Sequence, residues 1–202
     1  MPTLLVTAFG AFPGAPRNPS EQALSLLARD GRGAFRRAGI RLATATLPVA
    51  HDIAQYLDAV VARERPDAIV HLGLAARRRR VSVETRARNR VTTLKPDSLG
   101  RHAPSHVCAA RAPARLSTWN AARLCAALRR ARIDAGLSVD AGDYVCNATL
   151  WRSLEDSRSP AIFIHVPEKR RLPPARMAAA LARILPGATR VALRTPFNPD
   201  AK

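Results

Sequence analysis

Three residues carry side chains and settings suited to acyl transfer: Glu84, Cys146 and His165. Cys146 lies in Asp140-Ala141-Gly142-Asp143-Tyr144-Val145-Cys146-Asn147, between a strand-like run and a helix-like one. A thiol at a helix start faces unpaired N–H groups and the positive end of the dipole, which favours thiolate. His165 ends the apolar run Ile162-Phe163-Ile164-His165-Val166-Pro167. An imidazole there can take and return a proton near neutral pH, and a carboxylate such as Glu84 can fix its tautomer. Brought together, the three would form a thiol hydrolase. Each also has a plain structural reading. A lone Cys in an α/β domain is usually a small buried hydrophobe. A His inside an apolar strand is usually a hydrogen-bonded core residue, and a Glu among so many Arg is usually half of an ion pair.

The elements that must position these groups alternate between strand-like and helix-like from end to end. Thr3 to Thr7 reads as a short buried strand, and Asn18-Pro19-Ser20-Glu21 supplies a cap, a Pro at the first helical position and a Glu for the helix Gln22 to Arg29. Ile40 to Val49 reads as a strand, Ile53 to Arg65 as a helix stopped by Pro66, and Asp67 to Leu74 as a buried strand. Val81 to Val91 alternates, with Val81, Val83 and Thr85 on one side. The stretch from about Thr92 to Ser117 reads as one long irregular loop. Thr118 to Ala135 is then a helix, Leu137 to Asp140 a strand, Cys146 to Leu154 a helix, Ala161 to Val166 a strand and Pro174 to Leu185 a helix, with 197–202 a frayed tail. This order predicts a single-domain, three-layer α/β/α sandwich over 1–202 with a mainly parallel sheet. Open parallel sheets collect active residues beyond the carboxyl ends of their strands, where Glu84, Cys146 and His165 are expected to fall.

Composition narrows the class further. At 202 residues with 47% hydrophobic and 24% charged residues, the chain is neither disordered nor collagen-like, and it can bury a core without staples. Its three cysteines, Cys108, Cys125 and Cys146, show no CxxC spacing, so neither a disulfide framework nor a zinc site follows and a reducing cytoplasm is expected. The apolar opening Leu4 to Ala15 lacks a basic leader, and its Phe9-Gly10-Ala11-Phe12-Pro13-Gly14 breaks a helix, so it reads as a strand and loop rather than a signal peptide. The net charge is +18, and only Lys95, Lys169 and Lys202 of the 33 basic residues are lysines. That charge, with the run Arg77 to Arg80, raises a nucleic-acid binder as a competing class. Dispersed arginines, 4% aromatic residues and no recognised binding motif count against specific nucleic-acid recognition. No helix joins a basic face to an aromatic apolar one, so no membrane partner is expected.

Four separated stretches resemble the pyroglutamyl peptidase I (pyrrolidone-carboxylate peptidase) family of cysteine peptidases. They are Val6 to Phe12 followed by Asn18-Pro19-Ser20-Glu21; His71-Leu72-Gly73-Leu74-Ala75 followed by Val81-Ser82-Val83-Glu84; Ala141 to Asn147; and Phe163-Ile164-His165-Val166-Pro167. The resemblance implies that Cys146 attacks the carbonyl of an N-terminal pyroglutamyl group, His165 moves the proton and Glu84 holds the imidazole. It implies no cofactor and no metal, a peptide with N-terminal pyroglutamate as partner, and a homo-oligomer of the kind the family often forms. Phe9 and Phe12 match the phenylalanines that hold the pyrrolidone ring, though two core aromatics would look the same. Asn18 matches a position beside that pocket and serves equally as a helix cap. Leu74 matches a strand end that offers backbone groups to the lactam.

Departures accompany the match. The family carries an Arg ten residues after its catalytic Glu, which is thought to assist the oxyanion; the ungapped position here is Leu94. The small turn after Ala75 is replaced by Arg77-Arg78-Arg79-Arg80, and Thr92 stands where the family has an acidic residue. A divergent or weakly active member with another amide substrate is therefore the alternative within the same class.

Overall fold

Strand β1 (Thr3–Phe9) is buried at all seven positions, as an apolar run must be when helices cover both faces of its sheet. The computed structural model describes residues 1–110, 112–155 and 158–194, so the expected tail at 197–202 lies outside the described residues. Helix α1 (Pro19–Leu26) follows, capped by Asn18, and a π-helical turn over Leu27–Gly31 joins it to α2 (Arg32–Arg37). Then come β2 (Arg41–Leu47), α3 (Ile53–Glu64), β3 (Ala68–Leu74), β4 (Val81–Glu84), β5 (Arg86–Ala87), β6 (Arg115–Leu116), α4 (Ala121–Arg130), β7 (Ala135–Ser138), α5 (Val145–Glu155), β8 (Ala161–Val166) and α6 (Pro174–Arg194).

Six strands form one sheet in the order β2-β1-β3-β8-β4-β7. The pairs β1–β2, β1–β3, β3–β8 and β4–β7 are parallel, and only β4–β8 is antiparallel. Leu4, Val6, Val70, Val83, Ile162 and Ile164 face a core shared with α1, α2, α4 and α6. Phe9, Phe163, Leu57, Val145, Leu150 and Trp151 form the second core, under α3 and α5. This is the expected three-layer α/β fold. Among the described residues no helix is long and apolar enough to cross a membrane.

Several boundaries differ from the sequence reading, each for a physical reason. The first helix runs on through its π turn because Gly31 has no side chain: a Cβ there would lie 2.8 Å from Leu27 and 3.3 Å from Ala182 of α6. Helix α6 passes Pro186 and continues to Arg194, since Leu185, Pro186, Thr189 and Ala192 remain buried and that burial outweighs one lost backbone bond. The helix expected over 118–135 is only ten residues long, bounded by the Asn120 cap and by Arg132 in the left-handed region at φ 60°. Alternation over Val81 to Val91 is not one strand. It breaks after Glu84, and Arg86–Ala87 turns away to pair with Arg115–Leu116.

The long loop is irregular, as expected, yet firmly tied. The fully buried Asp97 carboxylate accepts backbone N–H bonds from His51 (3.2 Å), Leu99 (2.9 Å) and Arg101 (2.9 Å), together with Arg101 Nε at 3.0 Å. Those donors hold it well below the usual carboxylate range against the opposing effect of burial.

Candidate active site

Register brings the first two candidates together. On β8, Phe163 and His165 point to the α5 side; in the antiparallel pairing they stand opposite Glu84 and Ser82 of β4. Glu84 therefore reaches diagonally to His165, whose Nδ1 lies 2.8 Å from Glu84 Oε1. Glu84 does not lie beyond the carboxyl end of the sheet, where the sequence reading put it. Because β4 runs against β8, the end of β4 sits beside Phe163, inside the sheet, and the Glu84 side chain is fully buried.

The third candidate comes from the helix layer. The loop before α5 turns at Gly142 (φ +87°), whose N–H donates to Asp140 Oδ1 at 3.0 Å, and Cys146 follows as the second residue of α5. Its sulfur lies against the backbone of Gly73, only 3.0 Å from where a Cβ would stand. Gly73 is the β3 partner of His165, so the thiol, the imidazole and the carboxylate share one face of three adjacent strands. Asn147, the next residue, is fully buried. It accepts the Arg88 N–H at 2.8 Å and donates to the carbonyls of Arg88 (2.7 Å) and Arg90 (2.9 Å).

Electrostatics at the site favour neutral groups at rest. Burial, reinforced by the Glu84 charge, pushes the Cys146 thiol up to about 12, against smaller lowering effects of its own backbone N–H and of Arg78. Desolvation of the half-buried sulfur thus works against the thiolate expected from the half-charge of the helix start. Burial also lowers the affinity of His165 for a proton, with Glu84 acting to raise it and Arg78 to lower it. An imidazole held neutral in this way is able to accept a proton.

The aromatic and polar candidates separate. Phe9 is 2% exposed and stacks on Phe163 at 6.3 Å and 25°, so its ring belongs to the core beneath the site. Phe163 in turn packs on His165 with ring centroids 4.6 Å apart. Phe12 is half-buried on a small loop closed by its bridge to Ala15, and it lines a cavity of about 280 Å³ with Pro13, Lys95, Pro96, Asp97 and Tyr144. Asn18 caps α1, accepting the Ser20 N–H at 3.1 Å, and its amide donates to the Gly10 carbonyl at 3.1 Å. That bond ties it to the Phe9–Phe12 loop. Leu74 ends β3 beside Val166, two residues past the last β1–β3 pair, Ala8 with Leu72. Leu94 is 85% exposed, and Arg88 forms an ion pair with Asp140 at 3.2 Å. Cys125 is buried in the opposite core, and burial raises the half-buried Cys108 thiol.

Two contributors escaped the sequence reading. Gly73 was one letter in a motif, although its missing side chain is what lets the sulfur approach the sheet. Arg78 was one of four arginines in a run, yet its Nη1 lies 2.5 Å from Glu84 Oε1. No spacing rule marks either, since both depend on which way a side chain points from a turn or a pleat.

Known proteins resemble the chain along most of its length. The family model described as pyroglutamyl peptidase matches residues 2–177. A pyrrolidone-carboxylate peptidase of Thermococcus kodakarensis is 32% identical over 204 residues, spanning 96% of each chain. One from Deinococcus radiodurans is 34% identical over 175 residues, 83% of this chain and 78% of that one. Among solved structures, the pyrrolidone carboxyl peptidase from Thermus thermophilus matches with a TM-score of 0.73 at 29% identity, covering 92% of this chain and 98% of that one. The enzyme from Thermococcus litoralis gives 0.79 at 26% identity, covering 96% and 94%. With its three-layer fold and matches along nearly its whole length, the chain belongs to the pyroglutamyl peptidase family of cysteine omega peptidases.

Proposed function

We propose that the protein removes pyroglutamate from peptide N-termini, with Cys146 as nucleophile, His165 as proton carrier and Glu84 as the group that orients it. The observation that carries this reading is the Glu84–His165 bond at 2.8 Å, on the sheet face against which the Cys146 sulfur rests. With Nδ1 engaged by Glu84, His165 presents Nε2 to the thiol. As Sγ attacks the pyroglutamyl carbonyl carbon, its proton passes to Nε2, and the backbone N–H of Cys146 donates to the forming oxyanion. His165 then gives that proton to the leaving amine, the C–N bond breaks and a thioester remains. Water, losing a proton to His165, attacks the thioester; pyroglutamate leaves and the thiol is restored. The lactam is held beside Phe12, near the end of β3 at Leu74, over the floor that Phe9 and Phe163 make and within the loop that Asn18 ties at Gly10.

A slow variant of the same chemistry is favoured by one observation: Leu94, in the place of the family's Arg, stands in solvent with an apolar side chain. Release of a fluorophore from a pyroglutamyl amide tests both readings. Cys146→Ser and His165→Ala should each abolish turnover, while Cys108→Ser and Cys125→Ser retain it. Turnover persisting in Cys146→Ser would end the nucleophile assignment. A wild-type kcat well below that of the Thermococcus enzymes, measured side by side, would identify the slow variant.

A further inference from the structure

We propose that Arg78 is a positioning residue of this site: a guanidinium strut that fixes the Glu84 carboxylate on His165 and ties both to the loop delivering Cys146. The proposal rests on the peptidase reading above and deepens it. Among Arg77, Arg78, Arg79 and Arg80, only Arg78 turns inward. Its N–H donates to the Ala75 carbonyl at 2.9 Å, closing the turn after β3. Its side chain is 29% exposed, whereas Arg77 and Arg79 stand in solvent and the Arg80 guanidinium lies over Gly136 of β7.

Its two terminal nitrogens do different work. Nη1 donates to Glu84 Oε1 at 2.5 Å, the same oxygen that meets His165 Nδ1 at 2.8 Å. Nη2 donates to the Asp140 carbonyl at 2.5 Å, six residues before the nucleophile in the loop that ends at α5. The other carboxylate oxygen, Oε2, is buried with no partner among the described residues. Glu84 therefore has two anchors for its charge, the imidazole and the guanidinium, and both act through one oxygen. Without the guanidinium the carboxylate would be free to rotate that single bond away, and the nucleophile loop would lose its link to the carboxylate.

A planar fork with donors in fixed directions can span carboxylate and carbonyl at once, which a flexible ammonium cannot. The arrangement has an electrostatic side too. The groups that act on His165 are Glu84 on β4, which favours its protonation, and Arg78, which opposes it. Cys146 faces it from α5. His71 stands behind Phe163, fully buried with burial lowering its proton affinity, and Asp140 is paired to Arg88. By sharing Oε1, Arg78 adds to the effect of burial in favouring a neutral imidazole, able to accept the thiol proton.

The test combines imidazole NMR titration of His165 with steady-state kinetics on a pyroglutamyl amide, in wild type, Arg78→Ala and Arg78→Lys. In Arg78→Ala the His165 midpoint should move up, because a cation is removed and the whole Glu84 charge falls on the ring. The acid limb of kcat/KM should move with it. Loss of positioning should lower kcat about 10- to 100-fold with KM near wild type, the scale of a misplacement near 1 Å. Arg78→Lys, which retains the charge, should keep the midpoint near wild type but not recover kcat fully. Added guanidinium should restore part of the activity of Arg78→Ala. A folded Arg78→Ala with an unchanged midpoint would overturn the proposal, as would wild-type kcat. Should Arg78→Ala not fold, Arg78→Lys decides: wild-type kcat there would refute the strut. If wild type itself cleaves no pyroglutamyl amide, the functional reading fails, while the titration still decides whether Arg78 sets His165.

Discussion

Gly73→Ala isolates the contact that lets the Cys146 sulfur approach the sheet. A Cβ at position 73 would stand 2.7 Å from Phe163 Cζ, 2.8 Å from its Cε1 and 3.0 Å from Cys146 Sγ. Carbon atoms pack at about 3.5–4.0 Å, so the ring carbons overlap the methyl by roughly 0.7 Å or more. The ring has little room to retreat: Phe163 is fully buried between Phe9, His71 and His165, with centroids 6.3, 5.9 and 4.6 Å away. Any relief must move His165 or push the sulfur outward. Overpacking of this kind costs about 1–3 kcal/mol of stability. A shift of that size between thiol and imidazole should lower kcat on the order of 100-fold. Gly136→Ala is the matched control. Its Cβ would meet the Arg80 guanidinium at 2.6 Å, but that is the far end of an exposed side chain free to swing away. Fluorogenic kinetics and urea unfolding of both variants give the comparison. A folded Gly73→Ala with wild-type kcat would refute the packing argument, as would an equal kcat loss in Gly136→Ala.

Two pH effects should accompany it. Since burial holds the Cys146 thiol up to about 12, its alkylation by iodoacetamide should be slow at pH 7 and climb well above pH 9; fast labelling at pH 7 that is flat with pH would contradict a neutral resting thiol. His71 is buried and neutral, with Nδ1 2.7 Å from Thr7 Oγ1 and Nε2 2.8 Å from Ser153 Oγ, and burial lowers its pKa to about 3. Its folded value lies below its unfolded 6.5, so the unfolded chain binds the extra proton, and stability falls as pH drops from about 6.5 toward 3. Urea unfolding from pH 7 to 4 should therefore lose less stability in His71→Gln than in wild type, and parallel slopes would refute the assignment.

What the sequence discloses and what it conceals divide along physical lines. Thr3 to Thr7, Ala161 to Val166 and the Asn18-Pro19 helix start are local signals: β-branched apolar runs and a cap, decided within a few residues. The pairing of Glu84 with His165 was legible because residue type and a family motif both pointed there. The antiparallel direction of β4 was not, since four residues, VSVE, carry no mark of which neighbour they will join. Nor does the helix-start argument foresee the upward push on the Cys146 thiol, because desolvation depends on packing that chain order does not show. Phe9 and Phe12 illustrate the same limit: two identical letters three apart became a buried ring under the site and a half-exposed ring beside it.

The Asn147 clamp bears on when the protein first becomes able to cut. It bonds to Arg88 across 59 positions, and the Glu84–His165 bond spans 81. Such distant contacts form late, after the chain has paid the entropy of closing long loops. A nascent or half-folded molecule thus lacks the pieces of the site in register, and it is chemically inert toward its neighbours. The capacity to hydrolyse therefore depends on the finished sheet, not on any one element of it.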